Sequence, residues 1–165
     1  AIRASTMSLY SLILINEGKI DFVRTNLYFA QLPSTCQIKR DLEYVAHHWR
    51  EHSFDLWEEV KGQHFYNLMV QRKSMLIGAD LAEILGDKGA SAFYRTQVTQ
   101  MEIALRTHIN NQRVLIEPTM NQSDGWTHKK SGLDIAVILG VLHGYAGGDF
   151  FTPTDPMVLS YALKL

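Results

Sequence analysis

Two long helical stretches joined by a short turn constrain the fold of this chain more than any other feature of its sequence. They cover residues 62–85 and 90–110, and the glycine-bounded residues 86–89 form the turn between them. Apolar side chains recur at helical spacing along the first stretch, at Phe65, Leu68, Met69, Met75, Leu76 and Leu81. Because such a stripe must be buried against other elements, the pattern predicts a helical core.

Most of the remaining sequence also predicts helices connected by polar loops. Further helices are expected at residues 2–17, 21–29, 37–50 and 133–143, and another is expected to begin at residue 157. Gly18 is the expected stop of the first of these helices, and Ser34 or Thr35 is the expected N-cap of the third. No strand-rich region is predicted, and the loops are expected at residues 52–61, 113–130 and 144–156. The sequence therefore indicates an all-α fold, and it fits a helical toroid whose loops at one end carry the site.

Composition excludes several functional classes. The chain is 46% hydrophobic and 20% charged, which is normal for a soluble globular core, and its formal net charge of -1 argues against a nucleic-acid partner. Residues 9–15 are apolar but too short to span a bilayer, and they lack the features of a signal peptide. Cys36 is the only cysteine, so no intrachain disulfide is possible. The sequon at residues 121–123 is a weak indication of a secretory route.

The run Asp55-Leu56-Trp57-Glu58-Glu59 is the part of the sequence that indicates a chemical activity. Cleavage of a glycosidic bond needs one carboxylic acid to protonate the leaving oxygen while a second carboxylate assists. A neighbouring tryptophan supplies a flat apolar face for a sugar ring, and such a neighbour raises the pKa of a carboxyl group. The alternative interpretation is a helix surface whose acids are solvated and whose tryptophan faces the core.

With its flanking residues, this run resembles the catalytic-acid segment of the glucoamylases. The flanks are Gly62, Phe65 and Tyr66. Residues 41–46 with Trp49 resemble the helix that leads into this segment, and residues 65–72 resemble the helix that leaves it. Ser131 and Gly132, followed by Asp134, resemble a later substrate-contacting loop, and residues 1–4 resemble the start of an inner helix. Residues 82–119 add little to the resemblance.

The resemblance implies a fold and an activity. The fold would be part of an (α/α)6 toroid of six helical hairpins, incomplete in this chain, with residues 1–165 as a single partial catalytic domain. The activity would be that of an inverting glycoside hydrolase that releases glucose from the non-reducing ends of starch or glycogen. The general base would come from a later segment, so residues 1–165 alone are expected to be inactive. The missing start methionine and the abrupt ends also fit a fragment.

The resemblance also assigns roles to the acids. Glu58 matches the general acid, and Glu59 matches a carboxylate that binds substrate hydroxyls. Asp55 matches an aspartate that tunes the acid and is sometimes named as a proton acceptor.

Four further positions match substrate-binding residues of the family. Leu56 and Trp57 should line the first glucose subsite, the former through its backbone carbonyl. Lys130 and Asp134 match the polar positions of the Ser-Gly-x-Asp loop, although the family commonly has arginine at the position of Lys130. A guanidinium is a planar double donor and an ammonium is a single point donor, so lysine at this position changes the hydrogen-bond geometry expected at the first glucose subsite.

No metal or organic cofactor is expected, because the inverting mechanism that the resemblance implies needs none. His47 and His48 are not expected to bind a metal, since they are adjacent whereas metal-binding pairs on helices lie at i and i+4. The expected partner is an α-glucan such as starch, glycogen or a maltooligosaccharide, and nucleic-acid binding is not expected. By resemblance the protein would be secreted or vacuolar and a monomer when full length, although this chain carries no targeting signal.

Two other functions remain consistent with the sequence. The chain could belong to a non-catalytic helical module that binds carbohydrate or another protein, and the absence of a general base favours this reading of the chain taken alone. It could also belong to a different helical-toroid glycosidase that acts on other sugars.

Overall fold

The computed structural model describes residues 1–127 and 131–165, and most of these residues are helical. The helices, in chain order, are α1 Ile2–Asn16, α2 Ile20–Asn26, α3 Gln37–His48, α4 Phe65–Leu85, α5 Lys88–Thr107, α6 Ala136–Gly144 and α7 Pro156–Ala162. Each predicted helix is confirmed, with ends that differ from the prediction by at most three residues. Among the described residues, no helix has both the length and the apolar character needed to cross a membrane.

Five short strands lie between the helices, where only loops and helix were expected. They are β1 Ser53–Phe54, β2 Val60–His64, β3 Ile109–Asn110, β4 Leu115–Ile116 and β5 Thr119–Gly125. The first, second and fifth form an antiparallel sheet in the order β1-β2-β5, and β3 pairs with β4. The prediction of loops at residues 52–61 and 113–130 is therefore wrong in part, and so is the prediction that α4 begins at Gly62.

The ends of two helices differ from the sequence prediction. Gly18 follows α1 with a φ of 79°, and the backbone N–H of Lys19 donates to the carbonyl of Leu14, so the predicted glycine stop is confirmed. The predicted cap of α3 is wrong, because Cys36 is the N-cap and makes no side-chain capping bond. The hydroxyl of Ser34 instead donates to the carbonyl of Cys36.

The contacts divide the chain into two compact units. The first contains residues 1–49 and 71–100. In its core α3 lies close against α4, because a Cβ on Gly78 would come within 2.4 Å of Leu42. Lys39 is only 2% exposed, and its ammonium donates to the carboxylate of Asp87 and to a backbone carbonyl. The hydroxyl of Tyr28 donates to the same carboxylate, so the buried charge is paired and hydrogen-bonded.

The second unit contains residues 50–70 and 101–165. Here α6 packs on the beginning of α4 at two glycines one helical turn apart. A Cβ on Gly140 would lie 3.0 Å from the Cα of Tyr66, and a Cβ on Gly144 would lie 2.6 Å from the Cβ of Met69. The ring of Phe65 lies edge-on to Phe151, with centroids 5.0 Å apart, and completes the core at this point.

Gly144→Ala should destabilise the second unit, because the new methyl group would overlap backbone and side-chain atoms of Met69. Overpacking of this kind costs about 1–3 kcal/mol. Gly89→Ala is the matched control, since Gly89 lies in α5 with no atom near its missing Cβ, and alanine favours a helix. Urea unfolding of both variants should show a loss of stability for Gly144→Ala alone. Equal stabilities would contradict the close packing of α6 on α4.

Asp87→Asn should remove an acid-sensitive part of the stability. Burial alone raises the pKa of the Asp87 carboxyl, but the hydrogen bonds from Lys39, Tyr28 and the Ala90 amide, with the charge of Lys39, outweigh burial and leave the pKa below its ordinary value. A lowered carboxyl pKa stabilises the fold above the unfolded pKa of about 3.9, and this stabilisation is lost as the pH falls through the folded value.

The wild type should therefore be more stable than Asp87→Asn by about 1–3 kcal/mol near neutral pH, and the difference should shrink below about pH 4. Thermal unfolding across this pH range measures the difference. Asp21→Asn is the control, because Asp21 is exposed and only weakly paired with Arg24. A difference that stayed constant down to pH 2 would show that Asp87 does not act through its charge.

Candidate active site

The acidic run forms the tip of a β-hairpin. Strands β1 and β2 pair antiparallel, with Ser53 opposite Gly62 and Phe54 opposite Lys61. The hairpin closes where the backbone N–H of Asp55 donates to the carbonyl of Val60 at 2.9 Å. Residues 55–59 therefore lie on a loop that projects from a sheet, and the alternative interpretation of these residues as a helix surface is wrong.

Asp55 folds this tip through its side chain. Its Oδ1 accepts the backbone N–H groups of Glu59 at 2.8 Å and of Val60 at 3.2 Å. Its backbone carbonyl accepts the N–H of Glu58 at 3.1 Å. A carboxylate that binds two consecutive backbone amides, four and five residues further along the chain, fixes the path of the loop. Asp55 thus sets the position of the two glutamates that follow it.

Glu58 adopts a left-handed backbone conformation, with a φ of 59°. This region is unfavourable for residues other than glycine, and such conformations cluster at functional sites. The side chains of Glu58 and Glu59 are both exposed, and Leu56 and Trp57 beside them are partly exposed at 36% and 42%. The tip therefore presents two carboxylates and an aromatic ring to solvent.

A hydrogen bond joins the tip to the loop before α6. The indole N–H of Trp57 donates to Oδ1 of Asp134 at 2.9 Å, although the two residues are 77 positions apart. The same oxygen accepts the backbone N–H of Ala136 at 2.8 Å, so Asp134 also organises the start of α6. The structure thus brings together two of the residues that the sequence identified separately.

Two residues that the sequence analysis missed hold this loop in place. The Arg113 guanidinium donates through Nη2 to the carbonyl of Ser131 at 2.8 Å, and it lies so close to Gly132 that a Cβ there would be 2.6 Å from Nη1. The hydroxyl of Tyr161 accepts the backbone N–H of Asp134 at 2.7 Å. Tyr161 is fully buried, and burial raises its pKa to about 12, so it remains a neutral hydroxyl.

Strand β5 supports the tip from the other side. Gly125 pairs with Val60, and the backbone N–H of Trp126 donates to the carbonyl of Glu59 at 2.9 Å. Gly125 has a φ of 89°, and a Cβ there would lie only 2.2 Å from that same carbonyl oxygen. Asp124-Gly125 is recognisable in the sequence as a turn, but its contact with the acidic run is visible only in the fold.

A small pocket, lined about equally by polar and apolar surface, lies between the sheet and the loop before α6. Its volume of about 110 Å³ has room for several water molecules. The lining residues are Val60, Glu117, Pro118, Thr119, Gln122, Gly132, Leu133 and Asp134. Asp134 therefore connects this pocket to the indole of Trp57.

Six of the seven predicted site residues lie on these two loops. Residues 55–59 occupy the hairpin tip, and Asp134 contacts it through Trp57. Lys130 lies outside the described residues. Within residues 1–127 and 131–165, no group of three or more His, Cys, Asp or Glu side chains is arranged to hold a metal ion.

Comparison with known proteins identifies the family of this chain. The sequence model of glycosyl hydrolases family 15 matches residues 1–164, so the chain belongs to that family. Among curated relatives, the glucoamylase of Blastobotrys adeninivorans is 39% identical over 153 residues, which are 92% of this chain and 24% of the relative. Glucoamylase 1 of Rhizopus oryzae is 35% identical over 128 residues, 78% of this chain and 21% of the relative.

Solved glucoamylase structures match the fold. The family 15 glucoamylase of Hypocrea jecorina superposes with a TM-score of 0.83 at 27% identity, over 98% of this chain and 26% of that structure. The glucoamylase of Saccharomycopsis fibuligera gives a TM-score of 0.80 at 25% identity, over 99% of this chain and 35% of that structure. The predicted fold, a mostly helical part of an (α/α)6 toroid, is confirmed. The chain spans about a quarter of the length of the curated relatives named above.

Gly125→Ala should lower the stability by more than the cost of placing alanine in a left-handed backbone conformation. Gly86→Ala is a matched control, because Gly86 has a φ of 90° and no atom near its missing Cβ. Both substitutions carry the cost of a left-handed alanine, but only the first forces a methyl group against the carbonyl of Glu59. In urea unfolding, Gly125→Ala should be the less stable variant by about 1–3 kcal/mol. Equal losses would contradict the contact between β5 and the acidic run.

Proposed function

We propose that this chain carries the general-acid segment of an inverting glycoside hydrolase that releases glucose from the non-reducing ends of α-1,4-glucans such as starch and glycogen. The observation that carries the proposal is the exposed hairpin tip, where Glu58 and Glu59 follow an indole that is hydrogen-bonded to Asp134. Membership of glycosyl hydrolases family 15 and the glucoamylase relatives support it.

Glu58 is the proposed proton donor. Its carboxylic acid gives a proton to the glycosidic oxygen as the bond from that oxygen to the anomeric carbon breaks. Water attacks the anomeric carbon from the opposite face, assisted by a carboxylate about 6.5–9.5 Å away. We assign no residue of this chain to that second role. The left-handed backbone at Glu58 and the Asp55 turn hold the donor in place without using its carboxylate.

The other residues of the tip are proposed to bind the sugar. Glu59 accepts hydrogen bonds from substrate hydroxyls, the carbonyl of Leu56 accepts another, and the indole of Trp57 packs on the glucose ring. Asp134 orients that indole through the bond to its N–H. Lys130, four positions before Asp134 in the sequence, is proposed to donate to a sugar hydroxyl as a single point donor.

Secretion or vacuolar targeting forms part of the same proposal. Support comes from the sequon at Asn121, which is exposed on β5. Its amide donates to Oε1 of Gln63 at 2.9 Å, and an asparagine amide has a second hydrogen that a glycan can replace.

Glu58→Gln and Glu59→Gln should have different kinetic phenotypes in the full-length protein. Loss of a general acid lowers kcat by about 10²–10⁴-fold and leaves the ground-state affinity for maltose close to that of the wild type. Loss of a hydroxyl-binding carboxylate raises KM instead, because that contact is made in both the ground and the transition state. Glucose release from maltose and soluble starch measures both constants.

Glu83→Gln is the control, since it removes an exposed carboxylate on α4 and should leave kcat and KM unchanged. Exchanged phenotypes for Glu58 and Glu59 would reverse the assignment of donor and binder. A full-length protein that binds maltooligosaccharides without releasing glucose would support the carbohydrate-binding alternative and end the proposal of a hydrolase.

A further inference from the structure

His64 lies buried at the base of the hairpin that carries the acids. It is the last residue of β2 and is only 3% exposed. Its Nε2 lies 2.9 Å from the backbone carbonyl oxygen of Ser53, and its Nδ1 lies 2.9 Å from the hydroxyl of Thr119. Both ring nitrogens are therefore engaged, each by a different strand.

The partners of the ring determine its tautomer. A carbonyl oxygen can only accept a hydrogen bond, so Nε2 carries the hydrogen and donates to Ser53. In the neutral ring Nδ1 then has a lone pair and accepts the hydroxyl hydrogen of Thr119. His64 thus bridges β1, β2 and β5 with one donor and one acceptor.

Strand β1 depends on such contacts because it contains only two residues and lies at the edge of its sheet. Ser53 is two positions before Asp55, whose carboxylate folds the tip. Asn67 of α4 adds two further contacts, from Nδ2 to the hydroxyl of Ser53 at 2.9 Å and to the carbonyl of Phe54 at 3.0 Å. Loss of the imidazole would remove one of the few contacts that hold this exposed two-residue strand, so β1 is expected to shift when His64 is replaced.

We propose that His64 is a positioning residue that fixes the first strand of the acidic hairpin and, through it, the location of Glu58. The imidazole is proposed to act through the carbonyl of Ser53, which lies two positions before Asp55. The catalytic consequence rests on the proposed function of Glu58, whereas the structural consequence does not. Displacement of a catalytic group by about 1 Å can lower the rate by about 10²-fold.

Two amide replacements separate the two contacts of the ring. The amide of glutamine reaches the position of Nε2, so His64→Gln keeps the donor to Ser53. The shorter asparagine reaches only the position of Nδ1, so His64→Asn loses that donor. His64→Leu removes both contacts. His47→Asn is the control, because His47 is an exposed residue of α3.

The variants are compared in the full-length protein with two measurements. The first is kcat and KM for maltose, expressed per folded molecule. The second is backbone hydrogen exchange in a peptide covering residues 55–64, which includes the amides that Asp55 binds.

His64→Asn and His64→Leu should lower kcat/KM for maltose by about ten- to a hundredfold, with a lower kcat and also a higher KM because Glu59 lies on the same tip, and should speed exchange in the hairpin. His64→Gln should recover most of kcat and the slow exchange, and His47→Asn should match the wild type. If His64→Leu does not fold, the contrast between glutamine and asparagine decides the question.

The proposal fails if the asparagine variant keeps both kcat and slow exchange, or if glutamine and asparagine are equally impaired. A wild-type protein that releases no glucose would refute the proposed function alone, and the exchange data would still decide whether His64 fixes the hairpin.

Discussion

The pairing of β2 with β5 is the contact on which the candidate site depends, and glycines make it possible. A Cβ on Gly62 would lie 2.9 Å from the carbonyl oxygen of Met120, and a Cβ on Gly125 would lie 2.2 Å from that of Glu59. Any larger residue would force the strands apart, at Gly62 within the bulge between Lys61 and Gln63 and at Gly125 opposite Val60. This close approach fixes β2, and β2 carries the acidic tip at one end and leads directly into α4 at the other.

The second half of the site is positioned from the same helix. Helix α6 lies against the first two turns of α4 because Gly140 and Gly144 present no side chain there. Asp134 immediately precedes α6, and its Oδ1 accepts both the backbone of Ala136 and the indole of Trp57. One continuous segment, β2 followed by α4, therefore sets both the hairpin tip and the loop that it contacts.

The sequence predicted the helices well and the strands badly, for physical reasons. Residues 65–85 have an apolar stripe that only a helix explains. In β2 the buried positions are Val60, Gly62 and His64. Burial therefore alternates along the strand, but the side chains at the buried positions are not consistently hydrophobic, so the sequence shows little of the alternation that predicts a strand. The acidic run and Asp134 were found by resemblance to a family. Arg113, Tyr161 and His64 were not found, because their contacts join residues that are distant in the sequence and follow no local pattern.

The tip is organised so that its folding does not use its proposed proton donor. The hydrogen bonds that shape it come from backbone groups, the carboxylate of Asp55 and the indole of Trp57. Among the described residues, the Glu58 carboxylate makes no hydrogen bond that could hold its proton elsewhere. A general acid must reach the leaving oxygen within hydrogen-bond distance, and a carboxylate committed to a structural contact could not do so. In this proposal Asp55 folds the tip and Glu58 transfers the proton. The tip therefore contains more carboxylates than proton transfer alone requires.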